Sequence, residues 1–177
     1  MTIIKNKKIL HQALLDTLLG PMIAIADDIA LYLLEFANRT GLDNEIARLT
    51  QQTNAIIIIS GKTQPINMIE TELNAYFDGT LTEFKTPVCL LGSDFQKSVW
   101  HELQKIPMGH TKSYAQIAAA IGRPSACRAV ARANSTNQLP IIIPCHRVIN
   151  TNNKLGGYSG GVARKQWLID HEKKRVL

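Results

Sequence analysis

Apolar positions in residues 10–37 recur in short runs separated by turn residues, the pattern of an antiparallel meander. LLDTLL closes at Gly20-Pro21, and MIAIA then meets IALYLLEF across Asp27-Asp28, which predicts a tight two-residue hairpin. A helix is expected over roughly 39–52, followed by a buried strand at AIIIIS, residues 55–60. In the next segment Ile66, Ile69, Leu73 and Phe77 share one helical face, with Pro65 opening the helix and Gly79 stopping it. Residues 80–92 lack helical periodicity and read as a linker with room for one short strand.

From residue 92 the pattern turns helical, with short polar connections that carry glycine. Ser93-x-x-Gln96 has the spacing at which two residues cap each other's backbone, and Phe95, Val99 and Leu103 face inward on the helix that follows. Pro107-Met108-Gly109 ends it. Ser113-x-x-Gln116 repeats the capping signature before YAQIAAAI, and Gly122 suits a C-terminal cap. A further helix is expected from Pro124-Ser125. Ala126, Ala129, Val130 and Ala133 would form its inner face, and Ser125, Arg128, Arg132 and Ser135 its outer one. Two short helices joined across Gly122-Arg123-Pro124, the second with a basic outer stripe, have the form of a helix-turn-helix, although helix pairs that merely pack share part of it. The chain then runs through Ile141-Ile142-Ile143 to Pro144-Cys145-His146-Arg147, a polar loop NTNNKLGGYSGG and a terminal helix VARKQWLIDHEKK.

With 177 residues, 45% of them hydrophobic, the chain can bury a sizeable core as one large or two small domains. No apolar run approaches the ~20 residues that cross a bilayer. The basic start MTIIKNKKILHQ lacks an apolar stretch with a cleavage site, so neither membrane insertion nor secretion is expected. Cys89, Cys127 and Cys145 are too few for a disulfide framework, which points to a reducing, cytoplasmic setting. The net charge of +6 is unevenly held: residues 1–91 carry 7 Lys+Arg against 10 Asp+Glu, net −3, and residues 92–177 carry 13 against 4, net +9. The basic half suits a polyanion, nucleic acid foremost, against the plainer alternative of a solvated basic surface. No cysteine or histidine cluster has metal-binding spacing, so no metal is expected.

A cysteine after a buried run and a proline sits where the chain leaves the core and turns. Pro144 has the φ of a first helical turn, so Cys145 is expected to start a short helical segment, where unpaired N–H groups favour a thiolate. His146 is adjacent, and with a bend between them the two side chains can cooperate through a water. Glu172 lies one helical turn after Leu168 on the apolar side of the last helix, where it could hydrogen-bond His146 and fix its tautomer, as in a Cys-His-acid relay. The alternatives at this point are an inert buried thiol and a surface carboxylate among Lys173, Lys174 and Arg175. His11, His101, His110 and His171 show no partner pattern.

The run IPCHRVI at 143–149, with RAVARANSTN at 128–137, GGYSGG at 156–161 and GSDFQKSVWHELQKIPMGHTKSYAQIA at 92–118, closely resembles the O6-alkylguanine-DNA alkyltransferases. The likeness covers nearly all of 92–177. Residues 1–91 match more loosely, through GPMIAIADDIALYLLEF and ELNAYFDG, in the style of that family's ribonuclease-H-like N-terminal domain. The resemblance implies an α/β protein, with a small antiparallel-sheet domain and linker at 1–91 and a mainly helical DNA-binding and alkyl-acceptor domain at 92–177 containing a winged-helix-like helix-turn-helix. It implies direct-reversal DNA repair without a cofactor: Cys145 takes the alkyl group from O6 of guanine, with O4-alkylthymine as a second substrate, keeps it as a thioether and is spent. Residue by residue, His146 matches the water-mediated base, Glu172 the residue orienting it and Tyr114 the phenol that protonates the leaving guanine. Arg128 matches the side chain that replaces the damaged nucleotide in the duplex, with Ser113, Ser125, Arg132 and Ser135 along the DNA face. Asn137 matches the brace before the active site, the Val148 carbonyl the reader of the exocyclic amine, and Tyr158 and Ser159 the pocket walls. Gly156 belongs to the glycine pairs that let a flat base approach the backbone. The implied partner is double-stranded DNA, bound through the minor groove by a monomer with the lesion flipped out.

Two other functions stay open on the sequence. A helix-turn-helix regulator or lesion sensor would bind DNA with Cys145 only structural, and a cysteine hydrolase using Cys145, His146 and Glu172 would turn over repeatedly on small esters or amides.

Overall fold

The computed structural model describes residues 8–175, and the chain divides into two compact units that meet in sequence between Leu91 and Gly92. The first unit holds β1 (Lys8–Leu15), β2 (Met22–Ala26), β3 (Leu31–Phe36), α1 (Leu42–Thr53), β4 (Ala55–Ser60) and α2 (Gln64–Phe77). Its sheet runs β3-β2-β1-β4: the first three strands form the antiparallel meander and β4 lies parallel to β1. A parallel neighbour needs a crossover, which the α1 segment supplies. Leu10, Ile25 and Leu33 from the strands and Leu42 and Leu49 from α1 pack into one core cluster.

Four local expectations change here. The β2–β3 turn is wider than two residues: Ala26 pairs with Leu31, and the Asp27 carboxylate accepts the N–H groups of Ile29 and Ala30 at 2.8 Å each. An aspartate able to satisfy two loop amides holds an open turn that a tight hairpin would leave without those bonds. Helix α1 starts later than its pattern suggests, after Gly41 at φ 85. On α2 the buried face is Ile66, Ile69, Leu73 and Tyr76, so Tyr76 takes the place expected of Phe77, as a 3.6-residue repeat requires. The short strand foreseen in the linker is a single bridge between Val88 and Leu31.

The second unit holds α3 (Asp94–Gln104), β5 (Lys112–Ser113), α4 (Tyr114–Ala120), α5 (Cys127–Ser135), a 3-10 turn (Cys145–Arg147), β6 (Val148–Ile149) and α6 (Val162–Lys173). Both capping boxes form, Ser93 with Gln96 and Ser113 with Gln116. Val99, Trp100, Leu103, Ile117, Val130 and Ala133 are buried among α3, α4 and α5, and the Trp100 Nε1–H donates to the Ala133 carbonyl at 2.9 Å. Gly122, at φ 72, ends α4 in a Schellman motif, with Arg123 N–H on the Ala118 carbonyl and Gly122 N–H on that of Ala119. Pro124 and Ser125 belong to the connecting turn, and α5 begins at Cys127. Its inner face is Val130, Ala133 and Asn134, while Ala129 is exposed beside Arg128. The buried stripe passes down the helix toward Asn137, and a residue one position before Val130 falls on the open side. Short β5 and β6 pair in parallel, Lys112 with Val148 and Ser113 with Ile149. Among the described residues no helix is long and apolar enough to cross a membrane.

Candidate active site

The chain reaches Cys145 through a turn fixed by buried polar groups. Ile141 takes φ 75, the left-handed region that a β-branched residue seldom enters. Asn137 compensates from beneath: its Nδ2 donates to the Ile143 carbonyl at 2.8 Å and its Oδ1 accepts the Leu139 N–H at 3.0 Å. The same Ile143 carbonyl accepts the Cys145 N–H at 2.7 Å. The helical segment expected at Cys145 is one 3-10 turn, closed by Val148 N–H on the Cys145 carbonyl, because β6 starts there and pairs with β5. The Cys145 carbonyl also accepts Nδ2 of buried Asn134 at 3.3 Å.

Within that turn Cys145, His146 and Arg147 are all buried. His146 Nε2 lies 2.8 Å from Oε1 of Glu172, which is itself buried on α6. Arg147 grips the same carboxylate side-on, Nε to Oε2 at 2.8 Å and Nη2 to Oε1 at 2.9 Å, while Nη1 donates to the Ile106 carbonyl at 2.5 Å. Gly109 N–H completes the set on Oε2 at 3.3 Å. Burial alone would raise the Glu172 pKa, but the bonds and charges of His146 and Arg147 overcome it and hold the carboxyl well below its usual range. Burial lowers the His146 pKa; its bond to Glu172 opposes this, and the charges of Arg147 and Lys165 add to the lowering. The imidazole is therefore neutral, and an ionised Glu172 fixes the proton on Nε2. Nδ1, which has no hydrogen-bond partner among the described residues, is left as the basic nitrogen.

Sequence reasoning missed Lys165, one of the deepest side chains of the unit. It is fully buried on α6, with Nζ 3.3 Å from the Gly157 carbonyl and 6.0 Å from the Tyr114 ring centre. Burial brings its pKa down to about 8, and the negative charge of Cys145 works against that lowering. Tyr114 responds to the same sulfur: burial and then the Cys145 charge raise its pKa, so its hydroxyl keeps its proton at neutral pH. A cysteine, a phenol and an ammonium thus share one dry region, the cation favouring a thiolate. The only sequence hint of Lys165 is its spacing: it lies one helical turn before Leu168 and two before Glu172, on the same buried side of α6.

Beside this cluster is a cavity of 320 Å³ lined by Tyr114, Ala131, Asn134, Ser135, Gly157, Tyr158 and Ser159. That volume lies at the lower end of the ~300–1,000 Å³ typical of small-molecule sites, room for one base and its substituent. Cys145 sits behind the lining, 1% exposed and joined to it through Asn134. Tyr158 and Ser159 stand in the wall; Asn137, Val148 and Gly156 lie outside it. Gly156 takes φ 69 with Asn150 beside it, so its glycine serves the loop conformation, and Gly157 is the one that lines the cavity. Arg128, Ser125, Arg132 and Ser135 are exposed on α5 or its approach, and Ser113 is the N-cap of α4, its Oγ accepting the Gln116 N–H at 3.1 Å. Among the described residues no group of three or more His, Cys, Asp or Glu side chains is placed to hold a metal ion.

The chain is similar to known proteins along most of its length. Residues 94–174 match the family model of the 6-O-methylguanine DNA methyltransferase DNA binding domain. A methylated-DNA–protein-cysteine methyltransferase of Mycobacterium tuberculosis is 54% identical over 105 residues, which is 59% of this chain and 64% of that protein. The chain thus aligns with under two thirds of that relative's length. The crystal structure of Mycobacterium tuberculosis OGT in complex with DNA superposes with a TM-score of 0.79 at 38% identity, covering 95% of this chain and 94% of the other. The Mycobacterium leprae methylated-DNA–protein-cysteine methyltransferase is 38% identical over 168 residues, 95% of each chain, and this chain therefore belongs to the methylated-DNA–protein-cysteine methyltransferase family.

Proposed function

We propose that the protein removes alkyl groups from O6 of guanine in double-stranded DNA by transferring them to Cys145, once per molecule. The observation that carries this reading is the buried Glu172–His146 pair in the same turn as buried Cys145, with Lys165 buried beside Tyr114 at the pocket. His146 Nδ1 takes the Cys145 proton through a water, and the Lys165 ammonium favours the resulting thiolate. The sulfur attacks the alkyl carbon, a C–S bond forms as the C–O6 bond breaks, and the electron pair stays with the guanine. Tyr114 supplies a proton to that leaving anion, an assistance worth typically ~10²–10⁴-fold. The product thioether has no leaving group that water can displace, so the protein is consumed.

The lesion must leave the base stack to reach a thiol lying behind a cavity wall, at a cost of a few kcal/mol. Arg128, exposed on α5, fills the gap it leaves, and the exposed Ala129 beside it lets the helix lie close in a minor groove. Asn137 keeps Cys145 in register with the pocket, and the backbone carbonyl of Val148 reads the exocyclic amine. Residues 92–177 form the DNA-binding and acceptor domain, with 1–91 as its support, and the protein works as a cytoplasmic monomer.

The test is intact-mass analysis after mixing with a duplex carrying O6-methylguanine. One added methyl per protein, mapped to Cys145 and ending at one equivalent, is expected. Unmodified wild-type protein with the lesion intact would refute the proposal; binding that survives Cys145→Ala without any covalent product in wild type would indicate a lesion sensor instead.

A further inference from the structure

The connection between α4 and α5 carries a cation that the proposed chemistry does not use. Arg123 follows Gly122 and precedes Pro124, and its backbone is tied at both ends: its N–H donates to the Ala118 carbonyl at 2.8 Å and its carbonyl accepts the Ala126 N–H at 2.9 Å. The residue before a proline has little conformational freedom left, so the side chain leaves the turn in a set direction. Its guanidinium carbon lies 5.5 Å over the ring of Phe95, on the first turn of α3. At this distance the ring attracts the cation electrostatically without using its N–H groups as donors, which stay open to a second partner. Arg123 is exposed, and among the described residues it forms no salt bridge; Asp94, the exposed carboxylate next to Phe95, does not pair with it.

We infer that Arg123, held against Phe95, is a phosphate contact that seats the α4–α5 pair on one strand of the duplex. This deepens the DNA reading above and rests on it. The chemistry favours phosphate over a base edge: a planar fork with free donors matches a phosphate bidentately, and the turn of a helix-turn-helix passes beside the backbone while the second helix enters the groove. The attraction to the ring favours one placement of the side chain before binding and so lowers the ordering cost that a fully solvated arginine would meet on contact. The contact carries no sequence information, as suits a protein that must search any sequence for a lesion.

The experiment measures affinity for a lesion-free duplex oligonucleotide across a salt series, for wild type, R123A, F95L and, as a control that removes one exposed charge elsewhere, K85A. Each lost phosphate contact reduces the log–log salt slope by about 0.9. R123A is expected to show that reduction with binding about 3- to 10-fold weaker at moderate salt. F95L keeps the charge, so its slope stays while affinity falls several-fold, and K85A matches wild type. An R123A slope equal to wild type, an equal reduction in K85A, or an F95L affinity identical to wild type overturns the inference. Wild-type protein that binds no duplex overturns both the inference and the function on which it rests, which separates the two failures.

Discussion

His146 Nε2 and Glu172 Oε1 stand 2.8 Å apart although 26 positions separate them in sequence, and Arg147 closes on the same carboxylate from the other side. Glu172 therefore does two things at once: it selects the imidazole tautomer and neutralises a buried guanidinium.

Replacing Glu172 by Gln separates those roles from simple packing. Arg147 would be left as a buried cation without a counter-charge, a change that typically costs about 3–5 kcal/mol. His146 would lose the anion that fixes its proton on Nε2. Chemical denaturation should show the loss of stability, and single-turnover transfer should slow on a duplex lesion and on free O6-benzylguanine alike, since the defect lies in the chemistry and not in DNA contact. Normal transfer in a folded E172Q protein would remove Glu172 from the mechanism.

Acid should destabilise the protein in two stages. His146 has a folded pKa below its unfolded value of about 6.5, so the stability tied to its neutral form is present above that pH and is lost as pH falls through the folded value. Glu172, also depressed, adds stability present above about 4.5 that disappears further down. Urea midpoints measured from pH 8 to pH 4 are expected to fall with the first drop starting near 6.5, and H146Q should remove that first stage.

Lys165 is expected to cost stability at neutral pH. With its folded pKa at about 8, against 10.5 unfolded, its burial disfavours the folded state throughout the range below about 8, and the penalty is relieved as pH rises toward 10.5. K165M, which keeps the volume and drops the charge, should raise the thermal midpoint at neutral pH and flatten the stability gain between pH 8 and 10. It should also slow transfer, because the thiolate loses its cation. A K165M protein no more stable than wild type would show that the Gly157 carbonyl bond outweighs the buried charge.

Asn137→Ala would strip partners from the Ile143 carbonyl and the Leu139 N–H, both in a buried turn. The Leu139 N–H is orphaned, which costs about 1–3 kcal/mol, and the Ile143 carbonyl is left with the Cys145 N–H alone. Denaturation should report that loss, and the transfer rate should fall further than stability alone explains, since the Ile143 carbonyl also holds the Cys145 N–H.

Gly92→Ala tests a packing constraint with no chemical role. A Cβ there would come within 2.6 Å of the Trp100 ring, which is buried and anchored by its bond to Ala133. A lower unfolding midpoint is expected, with the transfer rate per folded molecule retained.

Much of this protein is written locally. Two Ser-x-x-Gln boxes set the starts of α3 and α4, Gly122 sets a helix end, and strand alternation gives the meander, because caps and periodicity act over a few residues and leave a direct trace in the sequence. The run Pro144-Cys145-His146-Arg147 and its likeness to a known family likewise mark the segment proposed as reactive. What the sequence leaves undecided is what a side chain meets across the fold. Nothing near Asp27 shows that it will hold an open turn, nothing near Ala129 shows that the buried stripe will pass it by, and Lys165 reads as one more surface lysine until α6 docks and carries it to Tyr114 and the sulfur. Arg147 is the same case: its partners, Ile106 and Glu172, lie on distant segments. Burial and charge pairing are properties of three-dimensional neighbours, and only tertiary packing brings those neighbours together.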